Sequence, residues 1–223
     1  MPKTKTVPGI WVGQLLHLAG LVILLGLVGI AWRSLGAPFP AAFWIAIAFP
    51  VVHQVYVWLT WRLELRDSAI SHSIGFRVYV GLFFVLFAGR FVSLFMLAWL
   101  DRGSLGLPAP PRILITLLLV AVGFYAMHSV LRDFGMVRAS GADHFEARYR
   151  RMPLVRKGIF RFTSHGMYVA VFLLFWAIAV GLNSATGLTV AAFSHAYIWV
   201  HFFATEKPDM EYLYGPDGTG MES

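Results

Sequence analysis

Cysteine is absent from all 223 residues. Disulfides, thiolate metal sites and cysteine nucleophiles are thereby excluded. Charge is also scarce: Asp, Glu, Lys and Arg supply 13% of the chain against 58% hydrophobic residues. A soluble globular domain carries about a quarter of its residues as charges, so this balance excludes that class and fits a polytopic membrane protein. Acidic side chains are the rarer sign, 11 against 18 Lys plus Arg, giving a formal charge of +7. In so apolar a chain the positive excess points to anionic lipid headgroups and not to nucleic acid. The chain shows no internal repeat, no low-complexity stretch and no paired half-helices of the transporter kind. Its histidines are not spaced as metal ligands.

What is present is a series of long apolar runs. A membrane-spanning helix needs about 20 predominantly apolar residues. Six segments meet or approach that length: 10–32, 41–61, 76–100, 112–131, 166–183 and 187–205. The first follows a basic start, but it is too long for a signal-peptide core and is read as a retained span. Pro108, Pro110 and Pro111 suit a turn and a helix start. Asn183 to Gly187 is short enough to make the last two helices an antiparallel hairpin. The expected fold is therefore an all-α, polytopic transmembrane bundle of about six spans. It divides into four N-terminal spans (1–131) and a region of basic connector, hairpin and tail (132–223).

Six spans place the N-terminus, the 62–77 and 132–165 connections and the C-terminus on one side. That side holds Lys3, Lys5, Arg62, Arg66, Arg77, most of the Arg-rich 132–165 connector and Lys207. The other side holds only Arg33, Arg102 and Arg112. The positive-inside rule then puts both termini in the cytoplasm. The connector also carries Phe145, Tyr149, Leu154 and Phe160, a composition that lies well at the headgroup level.

The hairpin has a chemical consequence. His165 and Tyr168 stand where the fifth span leaves the cytoplasmic face, and Glu206 stands where the sixth returns to it. A tight far-side turn makes the two helices neighbours, so these three side chains converge, with Arg156, Lys157 and Arg161 beside them. Such a mixture suits a zwitterion: cations or free N–H groups for a carboxylate, Glu206 for an ammonium or a ribose diol, Tyr168 for an aromatic base. S-adenosylmethionine carries all of these groups. The plainer reading is that the basic stretch sets topology and the acidic tail is solvated. Of the polar residues within the spans, Arg90 stands out, because an ionised side chain at membrane depth is costly. It is the candidate for holding a lipid phosphate or a carboxylate.

The segment Gly158 to Tyr168, reading Gly-Ile-Phe-Arg-Phe-Thr-Ser-His-Gly-Met-Tyr, resembles the pattern G-x-Y-R-x-x-R-H-P-x-Y. The stretch Thr205 to Gly215 resembles a Glu-Glu-Pro tail followed by Tyr- or Phe-Gly. Both belong to the isoprenylcysteine carboxyl methyltransferase and phospholipid N-methyltransferase family. The resemblance covers about the last 75 residues. It implies S-adenosylmethionine as cofactor at the cytoplasmic face and an acceptor lipid entering from the bilayer. It also implies cofactor-binding roles for His165, Tyr168 and Glu206, with Gly158 and Arg161 in the same matching segment. Ser164, Gly166 and Lys207 depart from the pattern, where Arg, Pro and Glu are usual. Lys207 is a candidate for the acceptor phosphate, and His165 and His201 are candidate bases. The expected activity is methylation of a phospholipid amine. The alternatives are an isoprenylcysteine-type carboxyl or small-thiol methyltransferase, and a non-catalytic lipid-binding protein or transporter.

Overall fold

The computed structural model describes residues 6–215, which are helix and connecting turn with no strand among them. Lys3, Lys5 and the tail beyond Gly215 lie outside the described residues. In chain order the helices are α1 (Gln14–Ser34), α2 (Pro40–Asp67), the short α3 (Ala69–Ser73), α4 (Phe76–Leu100) and α5 (Ala109–Ser129). Two single-turn helices, α6 (Met136–Ala139) and α7 (Ala147–Arg150), lie in the basic connector. They are followed by α8 (Leu173–Gly181), α9 (Ala185–His201) and α10 (Lys207–Tyr214).

Five helices are long and apolar enough to cross a membrane, when α5 is continued to Phe134 and α9 to Tyr214. The remaining expected segment, the fifth in chain order, is apolar but shorter, Met167–Gly181. The last span also differs from expectation, since the helix does not stop at Thr205. A π-helical turn over Phe202–Glu206 carries it directly into α10. Pro208 does not end it, because Pro208 falls in the first turn of α10, where a missing N–H is tolerated.

The packing is that of a membrane bundle. α2 lies on α4, α5 on α8, and α9 against both α1 and α8. α4 and α5 follow one another in sequence but pack chiefly on different partners. Phe43, Leu94, Phe175 and Tyr197 fill the centre. Leu15, Ile23, Val85, Leu117 and Phe124 point outward and are more than half exposed. Polar groups sit inside instead: His17, Arg62, Arg90, His201 and Asp209 are all buried. Apolar outside and polar inside is the arrangement a hydrocarbon solvent favours, since helices satisfy their own backbone there.

Each end of the hairpin is fixed by a buried carboxylate. At the far end, Asp101 accepts from Ser184 Oγ at 2.8 Å and from Thr186 N and Oγ1 at 2.9 and 2.6 Å, tying α4 to the start of α9. At the near end, Asp209 Oδ1 pairs with Arg62 Nε at 2.8 Å, with neither side chain exposed, joining α10 to α2. In the sequence Arg62 is one of the charges that set topology, and Asp209 is part of the acidic tail. Burial of one makes the other necessary. Removing one partner of such a pair leaves an uncompensated buried charge and costs about 3–5 kcal/mol, whereas replacing both by apolar groups is often neutral. Asp209→Asn is therefore expected to lower the thermal unfolding midpoint of the detergent-solubilised protein markedly, and Arg62→Met with Asp209→Leu to recover much of that loss. An Asp209→Asn protein as stable as wild type contradicts the assignment.

Candidate active site

The expected convergence of the two hairpin ends is present. The Tyr168 hydroxyl donates to Glu206 Oε2 across the α8–α9 pair. His165 stacks near Tyr168, with ring centroids 6.3 Å apart, and meets Phe202 edge-on at 4.8 Å. Burial pushes the His165 imidazole below its ordinary pKa, so it is neutral at physiological pH.

Local backbone explains how these side chains face one another. Three π-helical turns occur among the described residues, over Val130–Phe134, Met167–Val171 and Phe202–Glu206. Each supplies residues to the same region. A π turn is wider than an α turn and recurs at functional sites. In the last span, the wider turn brings His201 and Glu206, five residues apart, toward a common face.

Two cavities meet there. The larger has a volume of about 540 Å³ and lies between the connector and the ends of the hairpin. Arg138, Arg156 and Arg161 contribute cations to its wall, Asp143 and Glu206 carboxylates, and Phe134, Phe160 and Tyr214 aromatic rings. The smaller, about 100 Å³, lies deeper among α2, α4, α5 and α9 and is mostly apolar. Tyr168 and Glu206 line both, together with Trp61, Ala139 and Met167. Their hydroxyl–carboxylate contact thus stands at the junction.

The candidate residues separate accordingly. His165 and Arg161 line the larger cavity. His201 and Arg90 line the smaller. Gly158 lines neither. It takes φ +56°, and a Cβ there would fall 2.3 Å from Ser129 Oγ, so it lets the connector close onto α5. Ile159 N then donates to that same hydroxyl at 3.1 Å. Lys207 also lines neither cavity and forms no ion pair with Glu206.

Sequence reasoning missed the groups behind the larger cavity. His144 Nδ1 meets Asp143 Oδ1 at 3.1 Å, and its Nε2 lies 3.4 Å from Asp209 Oδ2. The Asp209 contacts are ion pairs by distance and not aligned hydrogen bonds. Tyr214 donates to Asp143 Oδ2 at 2.8 Å. Arg62, Asp209, His144, Asp143 and Tyr214 thus form one chain from α2 to the cavity wall. Its signal was the adjacent Asp143–His144 pair inside an otherwise Arg-rich connector.

Residues 111–217 match the family model described as phospholipid methyltransferase. Over that segment, just under half of its length, the chain is similar to phospholipid methyltransferases. Two curated relatives are named phosphatidylethanolamine N-methyltransferase. The one from Debaryomyces hansenii is 28% identical over 91 residues, covering 41% of this chain and 10% of the relative. The one from Clavispora lusitaniae is 27% identical over 108 residues, covering 47% of this chain and 12% of the relative. The match therefore spans only about a tenth of those proteins. No solved structure matches the chain significantly. The methyltransferase-family segment contains both π turns of the hairpin and excludes Arg62 and Arg90.

His144 gives this protein a distinctive pH response. Burial opposes its charged form, but Asp143 and Asp209 outweigh that and push its pKa from 6.5 up to about 9. A folded-state pKa above the unfolded value stabilises the fold fully below about pH 6.5, and that contribution is lost as pH rises through 9. The unfolding midpoint is expected to fall between those limits, and His144→Gln to flatten the slope. Identical slopes for the two proteins contradict the assignment.

Proposed function

We propose that this protein is a membrane S-adenosylmethionine-dependent methyltransferase that acts on a phospholipid amine from the cytoplasmic face. The observation that carries the reading is the Tyr168–Glu206 pair, which stands where a polar cavity meets an apolar one.

The larger cavity fits the cofactor. Its volume falls in the ordinary range for small-molecule sites, roughly 300–1,000 Å³. Its wall offers guanidinium groups for a carboxylate, carboxylates for an ammonium or ribose diol, and aromatic faces for a base. His165, Tyr168, Glu206 and Arg161 are the cofactor-binding residues in this reading. Bound there, S-adenosylmethionine supplies a methyl group on a cationic sulfur, open to in-line displacement.

The protein's own task is alignment and proton handling. An ammonium has no lone pair, so the acceptor must lose a proton before its nitrogen can attack. Glu206 is placed to take that proton from the side of the smaller cavity, and the Tyr168 hydroxyl holds its carboxylate in position. His201, on the acceptor side with both ring nitrogens unpartnered, is a second base within reach of the same cavity. His165, on the donor side, is left to a binding role. Holding both substrates in register contributes up to roughly 7–11 kcal/mol, and a positioned base about 10²–10⁴ in rate. The cytoplasmic placement rests on the positive charge of the connector and of the helix ends around the larger cavity.

The test combines binding and product analysis. Wild-type protein is expected to bind S-adenosylmethionine, and His165→Ala and Glu206→Ala to weaken that binding. Incubation with labelled cofactor and total membrane lipid should place label in phospholipid. Label in a base-labile ester or a volatile product identifies a carboxyl or thiol acceptor instead. No binding by folded wild-type protein refutes the reading.

A further inference from the structure

The smaller cavity has a composition that methyl transfer alone does not require. Arg90 is 2% exposed, and its Nε and Nη2 have no partner among the described residues. Its Nη1 lies 3.4 Å from His53 Nδ1. With Nδ1 facing the guanidinium as acceptor, the His53 proton is on Nε2, which is also buried and unpartnered. His201 adds a further ring N–H with no partner. These donors all belong to residues lining one cavity. Among the described residues its only acidic side chain is Glu206, at the mouth, already engaged by Tyr168. The guanidinium is otherwise held between aromatic faces, 5.0 Å from the Phe172 centroid and 5.5 Å from that of Phe175. Ring faces orient a cation but do not satisfy its N–H groups. A buried cation with two free donors is strongly disfavoured unless an anion complements it, and an oxyanion is the natural complement of a guanidinium fork.

We propose that Arg90, with His53 and His201, forms the receptor for the phosphodiester of the acceptor lipid. This rests on the methyltransferase reading above and supplies the half of the acceptor site that the reading leaves open. Arg90 on α4 and His53 on α2 lie outside the matched segment, whereas His201 on α9 lies within it. A headgroup with an anion at one end and an amine at the other would enter with its phosphate toward Arg90. Its amine then faces Glu206, on the same cavity wall. At about 100 Å³ the cavity is too small to take an acyl chain. Phe84 of α4 and Met127 of α5 both line the cavity, and these two helices pack chiefly on other partners. The acyl chains are thereby left to the bilayer between α4 and α5.

The test uses the full chain in detergent with two soluble probes, dihexanoyl phosphatidylethanolamine and a long-chain primary amine lacking phosphate. Arg90→Gln is expected to raise the KM for the phospholipid at least tenfold and to abolish its thermal stabilisation of the protein. Binding of S-adenosylmethionine should change less than about twofold, and the KM for the plain amine should not move. Arg90→Lys, which keeps the charge, should recover part of the phospholipid affinity. If Arg90→Gln weakens both acceptors equally, or neither, the phosphate site is wrong although the methyltransferase reading stands. If Arg90→Gln fails to fold, the comparison is made with His53→Gln and Arg90→Lys, and a KM effect confined to the phosphate-bearing probe is still required. Wild-type protein that binds no S-adenosylmethionine refutes the underlying reading instead.

Discussion

A hydroxyl–carboxylate contact between two helices organises the functional end of this protein. Tyr168 begins the fifth crossing and Glu206 lies in the π turn of the last, and their side chains meet. For that to happen the two helices must be neighbours, which the Ser184-capped turn and its ties to Asp101 secure at the far end. The chain must also widen locally at both residues, and the two π turns provide this. The contact then divides the space around it into a more polar chamber and a mostly apolar one.

Ionic groups are buried on both sides of that contact, with different consequences. Below it, Arg62, Asp209 and His144 compensate one another and fasten α10 to α2 and to the connector. This cluster is complete and serves position. Above it, Arg90 and its two histidines retain donors with no acceptor among the described residues. The same desolvation penalty that makes the first cluster a structural lock makes the second a receptor.

Much of this was legible in the sequence. Long apolar runs, prolines at the turns and a short Asn183–Gly187 connection mark the helices, and the hairpin they imply brings His165, Tyr168 and Glu206 together. The π turns were not legible, since a hydrophobic pattern at helical spacing does not mark a one-residue widening. The Arg62–Asp209 pair was hidden because each residue, read alone, is an ordinary charge at a membrane surface. Their partnership spans more than 140 positions and exists only through the fold. Gly158 matched a cofactor motif by position, yet its place against Ser129 gives it a backbone role.

The central claim is that the chamber beside Tyr168 and Glu206 holds S-adenosylmethionine. Ultraviolet crosslinking of labelled S-adenosylmethionine to the intact protein, followed by peptide mapping, tests it most directly. The account predicts label on peptides from 134–168 and 202–214, lost when excess unlabelled cofactor is present. Label that maps to the first three helices, or that excess cofactor does not displace, would contradict it.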